Sequence, residues 1–191
     1  MADTTWQLDT HEVNNYCYYD DAFSEEDLAK IEELGASTTL EDARVATKSL
    51  SARKTTVGWV RTSEESSWLF RALTDVIVHA NNKWFNFDLN HIEALQFSLY
   101  NEGDFYEPHV DTAYQGVGQY PRKLSFTLQL TDPSEYEGGE VELIMSGIPF
   151  PISKQRGTIT FFPSYTLHEV KPITKGTRKA LVGWVHGPKW K

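Results

Sequence analysis

A mainly β chain, a sandwich or jelly-roll barrel buttressed by helices, is predicted by three observations. Residues after Asn90 alternate with period two in run after run. Turn-forming clusters separate those runs. Helical periodicity is confined to the first half of the chain.

Each element has its own signal. Residues 24–34 read as a helix, with Ser24 as cap, Asp27 completing a capping box, and Phe23 with Leu28 as a hydrophobic staple. Leu28, Ile31 and Leu34 mark its buried face, and Gly35 is expected to end it. A longer helix is expected from about Glu64 to Asn81, where Trp68, Leu69, Ala72, Leu73, Val76, Ile77 and Ala80 repeat at helical spacing behind Ser63 as cap. Between them, Arg44 to Arg61 read as strands and turns, since Thr55, Thr56, Val57, Trp59 and Val60 favour extended backbone. Gln96, Ser98 and Tyr100 then alternate with Leu95, Phe97 and Leu99, and Leu124, Phe126, Leu128 and Leu130 with Ser125, Thr127 and Gln129. Val141 to Met145, Gly157 to Phe162 and Arg178 to His186 are further strands. Asn101 to Asp104, Asp132 to Ser134, Gly138-Gly139 and Lys175-Gly176 read as turns. Residues 1–191 are expected to form a single domain, with helical support over about 20–85 and a jelly-roll core over about 90–187.

Composition narrows the function classes. The 191 residues are 40% hydrophobic and 24% charged, as in soluble globular proteins. A formal net charge of -9 argues against general binding of nucleic acid, which needs clustered cations. Lys48, Arg53, Lys54 and Arg61 form a local basic patch whose ordinary fate is a solvated face. Cys17 is the sole cysteine, so no intrachain disulfide forms, which suits an intracellular setting. No signal peptide and no membrane span are read, and nothing speaks to oligomeric state.

His109 and Asp111 carry the chemistry. On a strand, residues two apart project to one face, so an imidazole and a carboxylate reach one metal. That pair alone is a weak motif. His168, downstream of Phe161-Phe162-Pro163, completes two histidines and one carboxylate. Such a facial triad suits non-haem Fe(II), with three-ligand zinc as the competing metal. Arg178 offers a fork that binds a carboxylate bidentately. It shares a strand face with Val182 and Trp184, a charged end with an aromatic wall beyond.

The run Tyr100, Gly103, Tyr106, His109 and Asp111 resembles the prolyl 4-hydroxylase-like branch of the 2-oxoglutarate/Fe(II)-dependent dioxygenases. Glu137-Gly138-Gly139-Glu140, Phe161-Phe162-Pro163, His168-Glu169-Val170, Gly176-Thr177-Arg178 and Trp184 follow in that family's order, and Arg53-Lys54-Thr55 with Trp59 resembles a segment before its barrel. The resemblance covers about residues 15–187. It implies a double-stranded β-helix, a jelly-roll or cupin-like core. It further implies Fe(II) on His109, Asp111 and His168, and 2-oxoglutarate with its distal carboxylate on Arg178 and Tyr100. O2 is the oxidant, and ascorbate a candidate reductant. Trp184 is read as pocket wall, and Thr127 and Thr160 as possible hydrogen-bond partners of the co-substrate.

The activity implied is hydroxylation of a C–H bond coupled to decarboxylation of 2-oxoglutarate to succinate. The carboxylate at Asp111 argues for hydroxylation over halogenation, which needs a small residue there. The substrate expected is a proline in a protein or peptide, with Tyr106, Trp59 and Tyr114 offering flat faces to the prolyl ring and the loop Thr112 to Tyr120 folding over the chain. Hydroxylation of a free amino acid or small metabolite is the alternative. Nucleic-acid demethylation is weakened by the charge. A non-catalytic cupin-like metal- or ligand-binding protein is the reading from another class, and Arg178 with Tyr100 argues against it.

Overall fold

The computed structural model describes residues 13–43, 52–112 and 120–190. Helices come early and strands late, as expected. β1 (Cys17–Tyr19) precedes α1 (Glu25–Ala36), and β2 (Glu41–Asp42), β3 (Arg53–Lys54) and β4 (Thr56–Val60) precede α2 (Ser67–Ala80). Next come β5 (His91–Ile92), β6 (Leu95–Tyr100), β7 (Phe105–His109), β8 (Arg122–Gln129), β9 (Tyr136–Gly138), β10 (Val141–Met145) and β11 (Ile148–Pro151). β12 (Ile159–Pro163), β13 (Leu167–Val170), β14 (Ile173–Gly176) and β15 (Arg178–His186) follow.

Among the described residues the larger sheet runs β1-β12-β8-β15-β6-β4-β2, with β5 paired to β15. The smaller runs β11-β10-β13-β7-β3, and β14 with β9 forms a short ribbon. From β6 onward the chain passes back and forth: β6, β8, β12 and β15 lie in the large sheet, and β7, β10 and β13 in the small one. That winding of antiparallel strands is a jelly roll.

The outer face of the large sheet is apolar. Its Leu95, Phe97, Leu124, Phe126, Leu128, Phe161 and Leu181 meet Leu28 and Ile31 of α1 and Leu69, Leu73 and Ile77 of α2. Each such side chain, fully buried, contributes roughly 1.5–3 kcal/mol. The inner face is as buried but polar: Gln96, Ser98, Ser125, Thr127, Gln129, Thr160 and Arg178 all point there. A second cluster, including Tyr100, Tyr136, Leu143, Phe162 and Ile173, fills part of the gap between the sheets. Burying so many polar groups is costly unless something bonds to them.

Several boundaries differ from expectation. Gly35 does not end α1; it is the buried penultimate residue, and the N–H of Ser37 closes the helix on the Glu33 carbonyl. Ser24 does cap it, accepting the Asp27 N–H at 3.2 Å. α2 begins at Ser67 behind Ser66, while Ser63 accepts the Ser66 N–H at 3.2 Å in the turn before. Its last turn runs on into a π-turn, Asn81–Phe85. Lys175-Gly176 is the end of β14, paired with Glu137 and Tyr136. β11 is not among the strands read from the sequence; it forms at the sheet edge, where the missing N–H groups of Pro149 and Pro151 are tolerated. No helix among the described residues is long and apolar enough to cross a membrane.

Candidate active site

β7 and β13 pair so that His109 and His168 lie opposite one another, with ring centroids 4.2 Å apart. Asp111 leaves the end of β7, and its N–H donates to the Ser164 carbonyl at 2.9 Å. This turns the carboxylate toward the large sheet, where the Ser125 hydroxyl donates to Asp111 Oδ2 at 2.8 Å and lies 2.9 Å from Ser164 Oγ. One ligand atom from each of His109, Asp111 and His168 lies within 4.8 Å of the others.

The tautomers are fixed by the backbone. His109 Nδ1 is 2.8 Å from the Glu107 carbonyl, and His168 Nδ1 is 2.9 Å from that of Thr166. A carbonyl only accepts, so each Nδ1 carries a proton, which leaves Nε2 as the atom of each ring that would ligate a metal. Those Nε2 atoms lie 3.7 and 3.5 Å from Asp111 oxygens. Burial, then the neighbouring His168, push His109 down to about 4 against the pull of Asp111. Burial alone would raise the Asp111 carboxyl; His168 and His109, then Trp184 and Ser125, outweigh it and hold it below the usual carboxylate range. Two imidazoles and one carboxylate converging this closely fit a divalent metal, and the donor set alone suits iron or zinc.

Arg178 begins β15, opposite Tyr100 at the end of β6. It is 2% exposed. Its Nε and Nη2 donate to Gln129 Oε1 at 3.2 and 2.9 Å. No carboxylate pairs with it among the described residues. A buried guanidinium without an anion is costly, and a bidentate carboxylate ligand would supply one. The Tyr100 ring centroid lies 5.5 Å from the guanidinium carbon.

Sequence reasoning missed three groups here. Gln129 was only one of many polar strand residues. Tyr136 is buried with its hydroxyl beside the Arg178 guanidinium; burial raises its pKa and Arg178 opposes. Gly139, read as part of a turn, has φ 65°, and a Cβ there would fall 2.3 Å from Ile173 Cδ1 and 3.4 Å from Arg178 Cδ. The Gly-Gly pair therefore lets the backbone pass close to the arginine.

Along β8 the inner residues order the site. Ser125 holds Asp111, Gln129 holds Arg178, and Thr127 lies between, opposite Thr160 and Val182. Four residues of strand span about 13 Å. Trp184 lies opposite Ser125 and is 6% exposed, with the Trp59 ring 6.3 Å away. Tyr106 stacks on His109, ring centroids 3.4 Å apart, and the Arg53 guanidinium carbon is 4.5 Å from the same ring. The basic patch is thus not one surface: Arg53 sits at Tyr106, Lys54 pairs with Asp104 at 3.0 Å, and Arg61 is exposed. Lys48, Tyr114 and residues 113–119 of the expected loop lie outside the described residues.

Comparison with known proteins supplies the family. The model of the 2OG-Fe(II) oxygenase superfamily matches residues 95–186. A PKHD-type hydroxylase from a Synechococcus species is 32% identical over 156 residues, covering 65% of this chain and 69% of that relative. The chain belongs to the 2OG-Fe(II) oxygenase superfamily. Its similarity is to the PKHD-type hydroxylases in particular. One from Prochlorococcus marinus is 42% identical over 94 residues, which is 49% of this chain and 42% of that relative. The chain thus spans less than half the length of that relative. The fold matches a prolyl-4-hydroxylase from Pseudomonas putida (TM-score 0.71, 20% identity, 92% and 94% of the two chains). It also matches a prolyl hydroxylase from Trichoplax adhaerens, in complex with a hypoxia inducible factor oxygen degradation domain peptide fragment (TM-score 0.75, 17% identity, 91% and 84%).

Proposed function

We propose that this chain is a 2-oxoglutarate- and Fe(II)-dependent oxygenase that hydroxylates a prolyl residue of a protein or peptide. The observation that carries the reading is Arg178, a buried cation without an anionic partner, on the same inner face that holds Asp111. Family membership favours iron over zinc for the His109, Asp111 and His168 donor set. Iron with 2-oxoglutarate and O2 supplies the oxidation: the co-substrate loses CO2 to give succinate, and an oxygen atom enters the substrate C–H bond.

The chain's own residues hold and orient. His109, Asp111 and His168 hold the metal, with both imidazoles fixed by their Nδ1–H bonds. Arg178 takes the distal carboxylate of 2-oxoglutarate. Gln129 fixes the guanidinium plane, and the Tyr100 hydroxyl shares the load. Thr127 lies on the path between, and Trp184 walls it and excludes water. Tyr106 and Trp59 are the flat faces for a prolyl ring; Tyr114, outside the described residues, is a third.

Proline is supported by the prolyl hydroxylases that share the fold, one of them holding a peptide. The test is a substrate panel. Iron is loaded without oxygen, ascorbate is supplied as reductant, and succinate is measured with proline-containing peptides and with free amino acids. Peptide-stimulated succinate, with one oxygen atom added at proline, is expected. Stimulation by a free amino acid alone overturns the peptide substrate in favour of a small-molecule hydroxylase.

A further inference from the structure

Glu93 lies outside the metal site, yet its bonds converge on one residue of it. Its backbone N–H donates to the Trp184 carbonyl at 3.2 Å. Its carboxylate takes His186 Nε2 at 2.7 Å through one oxygen and the Arg122 guanidinium through the other. The Arg122 guanidinium carbon in turn lies 3.8 Å over the Trp184 ring. His186 is fixed from its other nitrogen by the Tyr120 carbonyl at 2.8 Å, and the His91 ring stacks on it at 4.5 Å. Trp184 is therefore clamped by a planar cation that a carboxylate holds in place.

The clamped ring matters because of its far side. The indole Nε1 is buried and meets no hydrogen-bond partner within range. Trp184 is also the strand partner of Ser125, whose hydroxyl bonds Asp111. The hydroxyl that holds the carboxylate ligand thus has the clamped residue beside it across the strand pair.

We propose that Glu93 is a positioning residue for the metal site, acting through Arg122 and Trp184 to hold Asp111 in ligating geometry. The proposal rests on the metal-site reading above. Groups that orient a metal ligand commonly change affinity ten- to a hundredfold when removed. Arg122 suits the role because its planar fork both stacks on the indole and bonds a carboxylate, which a lysine cannot do together.

The test is a double-variant cycle read by Mn(II) affinity, using isothermal titration of the full chain without turnover. Far-UV circular dichroism and the urea midpoint check the fold. Glu93→Gln removes the charge that fixes Arg122, and Trp184→Phe keeps a ring beside Ser125 but removes the larger indole on which Arg122 stacks. Each is expected to weaken Mn(II) binding about tenfold. The double variant is expected to be little worse than Trp184→Phe alone, because Glu93 acts through Trp184. If Glu93→Gln does not fold, Arg122→Lys carries the same cycle. Unchanged affinity in the single variants, or losses that simply add, overturn the positioning role. Wild-type protein that binds no Mn(II) overturns the metal site itself, a different outcome from wild-type binding with unaffected variants.

Discussion

Asp111 is a buried carboxylate held below the usual carboxylate range by its neighbours, and most of the chemistry hangs on it. Asp111→Ala or His109→Ala is expected to lower succinate formation at least about a hundredfold, because each leaves two ligands for a metal that needs three. Far-UV circular dichroism of each variant should match wild type. Arg178→Gln tests the other end. A charge-assisted bidentate contact is worth about 1.5–3 kcal/mol, so the 2-oxoglutarate requirement should rise about ten- to a hundredfold with metal affinity unchanged. Saturation curves for the co-substrate check this; an unchanged requirement removes Arg178 from the site. His186 and Glu93 set a pH window. The bond to Glu93 raises His186 above its ordinary 6.5 despite burial. Burial alone would raise Glu93, but His186 and Arg122 outweigh it and hold it below its ordinary 4.5. The histidine's contribution is complete below about 6.5 and lost as pH rises through the raised value. The carboxylate's is complete above about 4.5 and lost as pH falls through the lowered one. The pair should therefore stabilise most between those values, and His186→Asn should flatten the alkaline limb in urea unfolding curves. At this scale the sequence was most legible where residue types are few: two histidines, one aspartate and one arginine in the right order. Ser125 and Gln129 were not legible, since a polar side chain on a strand looks the same whether it faces water or grips a residue of the site.

At the scale of elements, period and turn signals found most strands but not which face met what. Leu124, Phe126 and Leu128 turned toward the helices, and the polar row Ser125, Thr127 and Gln129 was buried as well, because a second sheet covers it. Alternation reports two unlike faces, not that one of them is wet. Helix α1 shows why a residue's usual role misleads. Gly35 reads as a stop, yet it lies inside the helix where an added Cβ would fall 2.2 Å from the Phe97 ring. Helix propensity alone says that alanine should stabilise by up to about 1 kcal/mol. Overpacking against a buried ring costs about 1–3 kcal/mol, so Gly35→Ala is expected to destabilise on balance. Urea unfolding checks the sign; a gain in stability would mean that Phe97 moves aside freely.

For the whole molecule, the winding between two sheets is what assembles the site. β7 and β13 of the small sheet bring the histidines, β15 of the large sheet brings Arg178, and β8 brings the residues that hold Asp111 and Arg178. Helices cover the outside and keep the large sheet in place, so the gap between the sheets is free to be polar. No local signal could announce this, because the contacts join residues far apart in the chain, such as Ser125 with Ser164 and Gln129 with Arg178. Family resemblance reached the fold by a different route, through the order of its motifs. The most direct test is conversion of 2-oxoglutarate to succinate by the iron-loaded chain on admission of O2, measured beside Asp111→Ala. Oxygen-dependent succinate from the wild type and none above background from the variant is the expected result. Equal succinate from both, or none from iron-loaded wild type with any peptide or amino acid present, contradicts it.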